Sequence, residues 1–235
     1  MPERTGCLVC GSPLVYAQDT RERTCEYCHE PHVSDAACER GHFVCDTCHS
    51  AGANDLIQRV CSASTSTAPL DLAIRIMRDP RIKMHGPEHH YLVPAVLLAA
   101  YANAAGLPAE RRAEMVARAR PRAEQVPGGS CGFSGACGAG IGTGIFVSVA
   151  LGATPVSRAE WRQANLLTSQ SLGEIAMRGG PRCCKRDTFI AIERAAAFSR
   201  ADLGVAMAAE ETPGCEFHDM NRECLGTDCP YFPAG

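Results

Sequence analysis

The chain has 235 residues, 46% of them hydrophobic and 21% charged, with a formal net charge of -3. That is a globular composition, which argues against a disordered chain and against one that binds nucleic acid by bulk charge. No run of about 18 apolar residues is free of charge, so no transmembrane span and no membrane partner is expected. The opening MPERTGCLVC has no apolar signal core, and a cytoplasmic location is expected. Fifteen cysteines in such a chain point to metal rather than disulfides.

Residues 1–60 are expected to form a double zinc-binding domain, since 1–50 carry almost no large apolar runs and need staples to fold. Cys7-x2-Cys10 and Cys25-x2-Cys28 have the spacing of metal knuckles, and Cys38-x3-His42-x2-Cys45-x2-Cys48 adds four more soft ligands. Eight ligands suffice for two closed tetrahedral zinc sites, which stabilise structure rather than perform chemistry. The run from Cys25 to Cys48 resembles the first six ligands of a RING-type cross-brace. That resemblance implies one ion on Cys25, Cys28, Cys45 and Cys48, and another on Cys7, Cys10, Cys38 and His42. Its final ligand pair is missing, which argues against a ubiquitin ligase. The alternative is sequential pairing, with Cys7, Cys10, Cys25 and Cys28 on one zinc. His29, His32 and His49 read as solvated loop residues.

Residues 61–70 form a small polar linker, and a helical core is expected over 71–208, with a metal-binding tail over 209–235. PLDLAIRIMRD reads as a helix stopped by Pro80, and VPAVLLAAYANAAG as a buried helix stopped by Gly106. PAERRAEMVARAR starts with proline and carries charge on one face. GGSCGFSGACGAGIGTGIF offers free amides to a cluster or a substrate carboxylate around Cys131 and Cys137; the other reading is a tightly packed helix start. SRAEWRQANLLTSQSLGEIAM has Ser157 and Glu160 spaced as a capping box. KRDTFIAIERAAAFSRADLGVAMAAEE is expected to be helical, with a break near Asp202. The fold class is therefore mainly α: a small zinc-knuckle domain, an all-helical core and a cysteine-containing tail.

His85, Glu88, His89 and His90 crowd the start of the buried helix, where an imidazole stays neutral and can act as base or ligand. Lys185 and Arg186 can pair a substrate anion. In the tail, Cys224-x4-Cys229-Pro has a spacing suited to an iron–sulfur cluster, and Cys215 with His218 offers an alternative metal site.

Three segments together resemble the iron–sulfur L-serine dehydratase α domain. RCCKRDTFIAIERAAAF resembles its Pro-Cys-Ile-Glu-Arg-Asn segment, HYLVPAVLLAAY its Leu-Pro-Ala-Val helix, and GSCGFSGACGAGIG with LGATP its Gly-Cys-Gln-Ala-Glu stretch. They occur in the same order over residues 80 to 200. The resemblance implies a [4Fe–4S] cluster held by three cysteines, with Cys131 and Cys184 matching two ligands. The family's middle ligand falls near EIAMRGG, which has no cysteine, so Cys183 or Cys137 would replace it. A C-terminal tail entering the site is implied as well, bringing Cys224 or Cys229. MHGPEHHY replaces the family's substrate loop, so the substrate is not expected to be serine. The layout also resembles an uncharacterised family of cysteine-rich proteins from anaerobic archaea and bacteria.

Two functions follow as expectations. The first is a lyase-type elimination, dehydration or desulfuration, on a small acid or thiol at an open iron, with His85, Glu88, His89, His90 and Lys185 around it. The second is a metal- or redox-responsive binding protein whose knuckles contact a protein partner.

Overall fold

The computed structural model describes residues 6–208 and 214–233, and it divides into two compact units, 1–52 and 53–235. Among the described residues there are eight α-helices and one two-stranded sheet, so the protein is mainly helical. The division falls inside a helix rather than in the polar stretch expected to act as linker.

In the first unit, β1 (Leu14–Thr24) pairs antiparallel with β2 (Pro31–Cys38), from Leu14 opposite Cys38 to Thr24 opposite Pro31. The register slips between Tyr16 and Arg21, which bulges the long first strand. The ribbon has little apolar interior. Val15, Tyr27 and Val33 are exposed, while Cys7, Cys25, Cys38 and Cys45 are buried. The thiols take the place that aliphatic side chains occupy in a larger domain.

Helix α1 (Asp46–Ala63) starts in the first unit and ends in the second. The second unit continues with α2 (Pro69–Met77), α3 (Glu88–Ala104), α4 (Ala109–Ala123), the single turn α5 (Ser130–Phe133), α6 (Gly138–Leu151), α7 (Ala159–Arg178) and α8 (Cys184–Asp202). Helix α3 is the centre. Every residue from Glu88 to Ala100 is buried, and α2, α4, α6 and α8 pack around it. It starts five residues before the expected apolar run, so His89 and His90 lie in its first turn and His85 three residues before it. Pro94 sits within it and has no N–H to offer the carbonyl of His90.

Two expectations are corrected. Ser157 does not cap α7; its Oγ accepts the N–H of Thr154 at 3.0 Å, and Arg158 is the N-cap without a side-chain bond. The hydroxyl closes its own turn before the helix begins. The last predicted helix breaks at Asp202, where a break was expected, but helix does not resume over 203–208. Gly204 turns left-handed at φ 70°, and Ser199 Oγ donates to the Val205 carbonyl at 2.7 Å, closing α8 near Asp202. Residues 209–211 of that prediction lie outside the described part.

The glycine run of α6 is a packing device. A Cβ on Gly138 would meet the His90 ring at 2.0 Å, and one on Gly142 would meet Pro94 at 2.9 Å. Gly140 and Gly144 lie against Leu172 and Thr168 of α7. Spaced four apart, each pair lines one face, so α6 is pressed between α3 and α7.

Candidate functional site

Two ligand sets form in the first unit. Cys7, Cys10, Cys38 and His42 converge, as do Cys25, Cys28, Cys45 and Cys48, the ligand atoms of each set lying within 4.8 Å of one another. The pairing is crossed, not sequential. The knuckles explain why. The first two Cys-x2-Cys turns are each followed by a left-handed residue, Gly11 at φ 74° and His29 at φ 60°, which returns the chain past its own thiols. The hairpin then separates the first two knuckles. The 42–45 connection runs back, so that Phe43 accepts the N–H of Glu26 at 2.9 Å and Cys45 N–H meets Cys25 Sγ at 3.3 Å.

The distances fit one ion per set. A Zn–S bond of 2.3 Å in a tetrahedron gives sulfur–sulfur edges of about 3.8 Å. Cys28 and Cys45 are 3.8 Å apart, Cys10 and Cys38 3.9 Å, and His42 Nδ1 is 3.3 Å from Cys10 Sγ. Each set has a thiol disposed to ionise, while burial raises Cys7, Cys45 and Cys48. Burial raises the Cys25 thiol, but the amides of Cys28, Cys45 and Tyr27 outweigh it and hold it at about 6. The Ser12 hydroxyl lowers Cys10, also to about 6. Either set can hold a metal ion. His29 forms its knuckle's left-handed corner, and His32 lies 3.8 Å from Cys28 Sγ, beside rather than within a ligand set.

In the second unit Cys61 is buried in the core, and the other cysteines lie near the starts of α6 and α8 and in the tail. Cys183 is the N-cap of α8 and Cys137 the N-cap of α6. Among the described residues, no set of three or more metal-ligating groups here converges to the single-ion distance seen in the first unit. Cys183, Cys215, Cys224 and Cys229 instead line one recess, with Arg186 and His218 in its walls. Three separate chain segments supply the four thiols.

The tail is fastened over this recess. Cys215 N–H donates to the Tyr231 carbonyl at 2.6 Å, and Tyr231 OH donates to Glu193 at 2.8 Å. Phe217 is buried, and the Lys185 ammonium lies 4.7 Å from its ring centre. Lys185 itself is buried, donating to the Ile82 carbonyl at 3.2 Å. His85 Nε2 donates to Asn221 Oδ1 at 3.2 Å and lies 3.3 Å from a Glu223 oxygen. Burial pushes Cys183 up to about 11, against the pull of the Arg186 amide, and burial likewise raises Cys215.

Cys137 and Cys184 both feel the Asp187 charge, as Cys183 does. Cys137 Sγ is 3.6 Å from Asp187 Oδ2. Burial raises Cys137 to about 12, with the Asp187 and Cys131 charges adding to it; burial also raises Cys184, with Asp187 and Cys137 adding. The Gly86 amide pulls Cys184 the other way.

The other expected site residues are spread over two environments. His85 borders the tail. His89 is enclosed, its Nε2–H donated to the Lys83 carbonyl at 3.1 Å and its Nδ1 accepting from Thr188 Oγ1 at 3.0 Å. Burial, helped by the Lys185 charge, lowers it to about 3. Glu88 is fully buried and accepts the Lys83 N–H at 2.7 Å. His90 donates from Nδ1 to the Val126 carbonyl at 3.0 Å. Sequence reasoning paired Cys215 only with His218, as an alternative metal site, and overlooked Asp187, Asn221 and Glu223. Asp187 had a readable signal, since it follows Cys183 and Cys184 by one helical turn and so shares their end of α8.

The model of a family of unknown function (DUF5714) matches residues 57–232, which span the helical unit and its tail. No curated protein and no solved structure matches the chain. The expectation of an uncharacterised family agrees with this match; the likeness to the serine dehydratase has no counterpart in it. Among the described residues, no helix is long and apolar enough to cross a membrane.

Proposed function

The chain belongs to this family of unknown function, and we propose that it is a redox-responsive iron–sulfur protein with a zinc-stapled partner-binding unit. In this reading Cys183, Cys215, Cys224 and Cys229 hold a [4Fe–4S] cluster, and the two ligand sets of residues 7–48 hold zinc. The observation that carries it is the single recess lined by four thiols from three segments. A cubane spaces its ligand sulfurs wider than one tetrahedral ion does, as these thiols require. A cluster with four thiolates is anionic; Arg186 in the recess wall and the Lys185 charge, which acts on Cys215, offset it.

When bound, the cluster supplies one-electron chemistry. The chain's own residues would shield it: the tail supplies most of the recess lining, with the Tyr231 and Phe232 rings among it. Elimination at an open iron is the weaker reading. It needs an iron without a thiolate and a proton-handling group facing it. The recess has four thiols, and Glu88 and His89 turn inward to the backbone of Lys83. Exposed Val15, Tyr27 and Val33 on the knuckle unit support a protein partner there.

The test is anaerobic purification of the full chain. A brown, dithionite-bleachable absorbance is expected, restored on reoxidation and lost in Cys224→Ser with the zinc retained. A colourless, iron-free protein overturns this reading.

A further inference from the structure

Besides the tail recess the helical unit has a second concavity, and the two share no lining residue. It is an open groove of about 220 Å³ whose floor is one face of α6. Ile141, Gly144, Ile145 and Ser148 are spaced to fall on that face. Gly144 leaves the floor bare between the two isoleucines and the serine. Helix α6 packs against both α4 and α7, and each supplies a wall. Asn165 and Thr168 come from α7, and Arg122 comes from α4.

Arg122 stands apart from its neighbours on α4. Arg111, Arg118 and Arg120 each reach a carboxylate, and Arg112 is taken up by Asn103 and the Ser62 carbonyl. Arg122 has no carboxylate among the described residues. Its Nη1 donates to Ser148 Oγ at 2.7 Å, and the charge that acts on it is the like charge of Arg118. Burial and that neighbour both disfavour its cationic form. An anion arriving in the groove would relieve this. The guanidinium keeps further N–H groups for it, and Ser148, having accepted one bond, keeps its hydroxyl hydrogen to donate.

We propose that this groove binds a small monocarboxylate with an apolar body, its carboxylate on Arg122 and Ser148 and its body along Ile141 and Ile145. One guanidinium and one hydroxyl match one carboxylate, whereas a phosphate dianion calls for more donors than this wall holds. The isoleucine floor takes the aliphatic part out of water. The groove is smaller than the roughly 300–1,000 Å³ of sites that enclose drug-sized ligands, so an acid of about six carbons suits it. The site stands whether or not the tail recess holds a cluster, since no residue belongs to both.

The full chain is titrated with hexanoate while its isoleucine methyl groups are followed by NMR. The Ile141 and Ile145 methyls are expected to shift together and to saturate with a Kd on the order of 1 mM. Ile57 and Ile82, buried in the core, are expected to stay in place. Arg122→Gln is expected to weaken binding about tenfold to a hundredfold, through loss of a charged hydrogen-bond donor. Arg122→Lys is expected to weaken it less, since the ammonium keeps the charge and loses only the fork. Asn165→Trp narrows the groove from the other wall and is expected to block hexanoate with the arginine intact. Hexylammonium and inorganic phosphate are expected to leave both methyls unshifted. Helical circular dichroism checks that each variant folds; if Arg122→Gln does not, Asn165→Trp and the two control ligands decide. A natural chain whose Ile141 and Ile145 methyls show no saturable shift overturns the proposal. So does a shift that persists in Arg122→Gln or in Asn165→Trp, and so does inorganic phosphate binding as tightly as hexanoate, which would make the groove a plain anion site.

Discussion

The two units solve the same problem with opposite materials. Residues 6–52 bury thiols around two ligand sets and leave Val15, Tyr27 and Val33 in solvent, whereas the helical unit buries an aliphatic core around α3 and, Cys61 apart, carries its cysteines near the starts of α6 and α8 and in the tail. In the first, cysteine substitutes for a core. In the second, a finished core presents cysteine. The lesson is that cysteine count alone does not say what holds a segment together; the company each thiol keeps does. Metal should therefore decide folding in one unit and only chemistry in the other.

The sharpest break of that comparison is chelation. A strong chelator at neutral pH is expected to abolish protection of residues 6–52 against proteolysis while the helical circular dichroism persists; joint collapse of both signals would erase the distinction.

Acid tests the helical unit by itself. An unfolded histidine takes up its proton near pH 6.5, whereas His89 resists until about 3. The unfolded chain then holds the extra proton, so stability is complete above pH 6.5 and falls below it. The loss is about 1.4 kcal/mol per pH unit as pH drops toward 3. Urea midpoints of the natural chain and His89→Gln at pH 5 and 7 check this; the variant is expected to show the shallower slope.

Packing gives a smaller effect. Gly138→Ala drives a methyl into the His90 ring and is expected to destabilise the helical unit by about 2 kcal/mol. Thermal unfolding of the variant measures it, and an unchanged midpoint would mean that the α6 glycines are not packing residues. Smallest is Arg78→Ala. The Arg78–Glu216 pair is 2.9 Å apart but exposed at both partners. Its loss is expected to leave the urea midpoint within error, because solvent screens the pair.

Legibility in the sequence followed range. The knuckles were readable because their ligands sit two residues apart, and the helices because periodicity and proline stops are local. The pairing of Cys7 and Cys10 with Cys38 and His42 became one of two readable options, since nothing local distinguishes crossed from sequential bracing. The union of Cys183 with Cys215 was not readable, because it depends on how the tail returns across α8. The glycines between 138 and 144 mislead for a different reason. A residue without a side chain serves a ligand's approach and a neighbouring helix's approach equally well, and only the presence of His90, Pro94, Leu172 and Thr168 settles which. Ser157 failed similarly: a hydroxyl before a helix can bond forward or within its own turn.

Helix α3, wrapped by α2, α4, α6 and α8, has a consequence for motion. Its amides from Leu92 to Ala100 lie in a segment with no solvent-facing side. Deuterium reaches such amides only when the surrounding helices separate together, so their exchange follows opening of the whole unit rather than local fraying. The tail and the exposed turns of α7 exchange through smaller openings. The slowest amides of the molecule are thus expected in a helix that bears none of its cysteines, and they serve as an internal clock against which loading of the thiol sites can be timed.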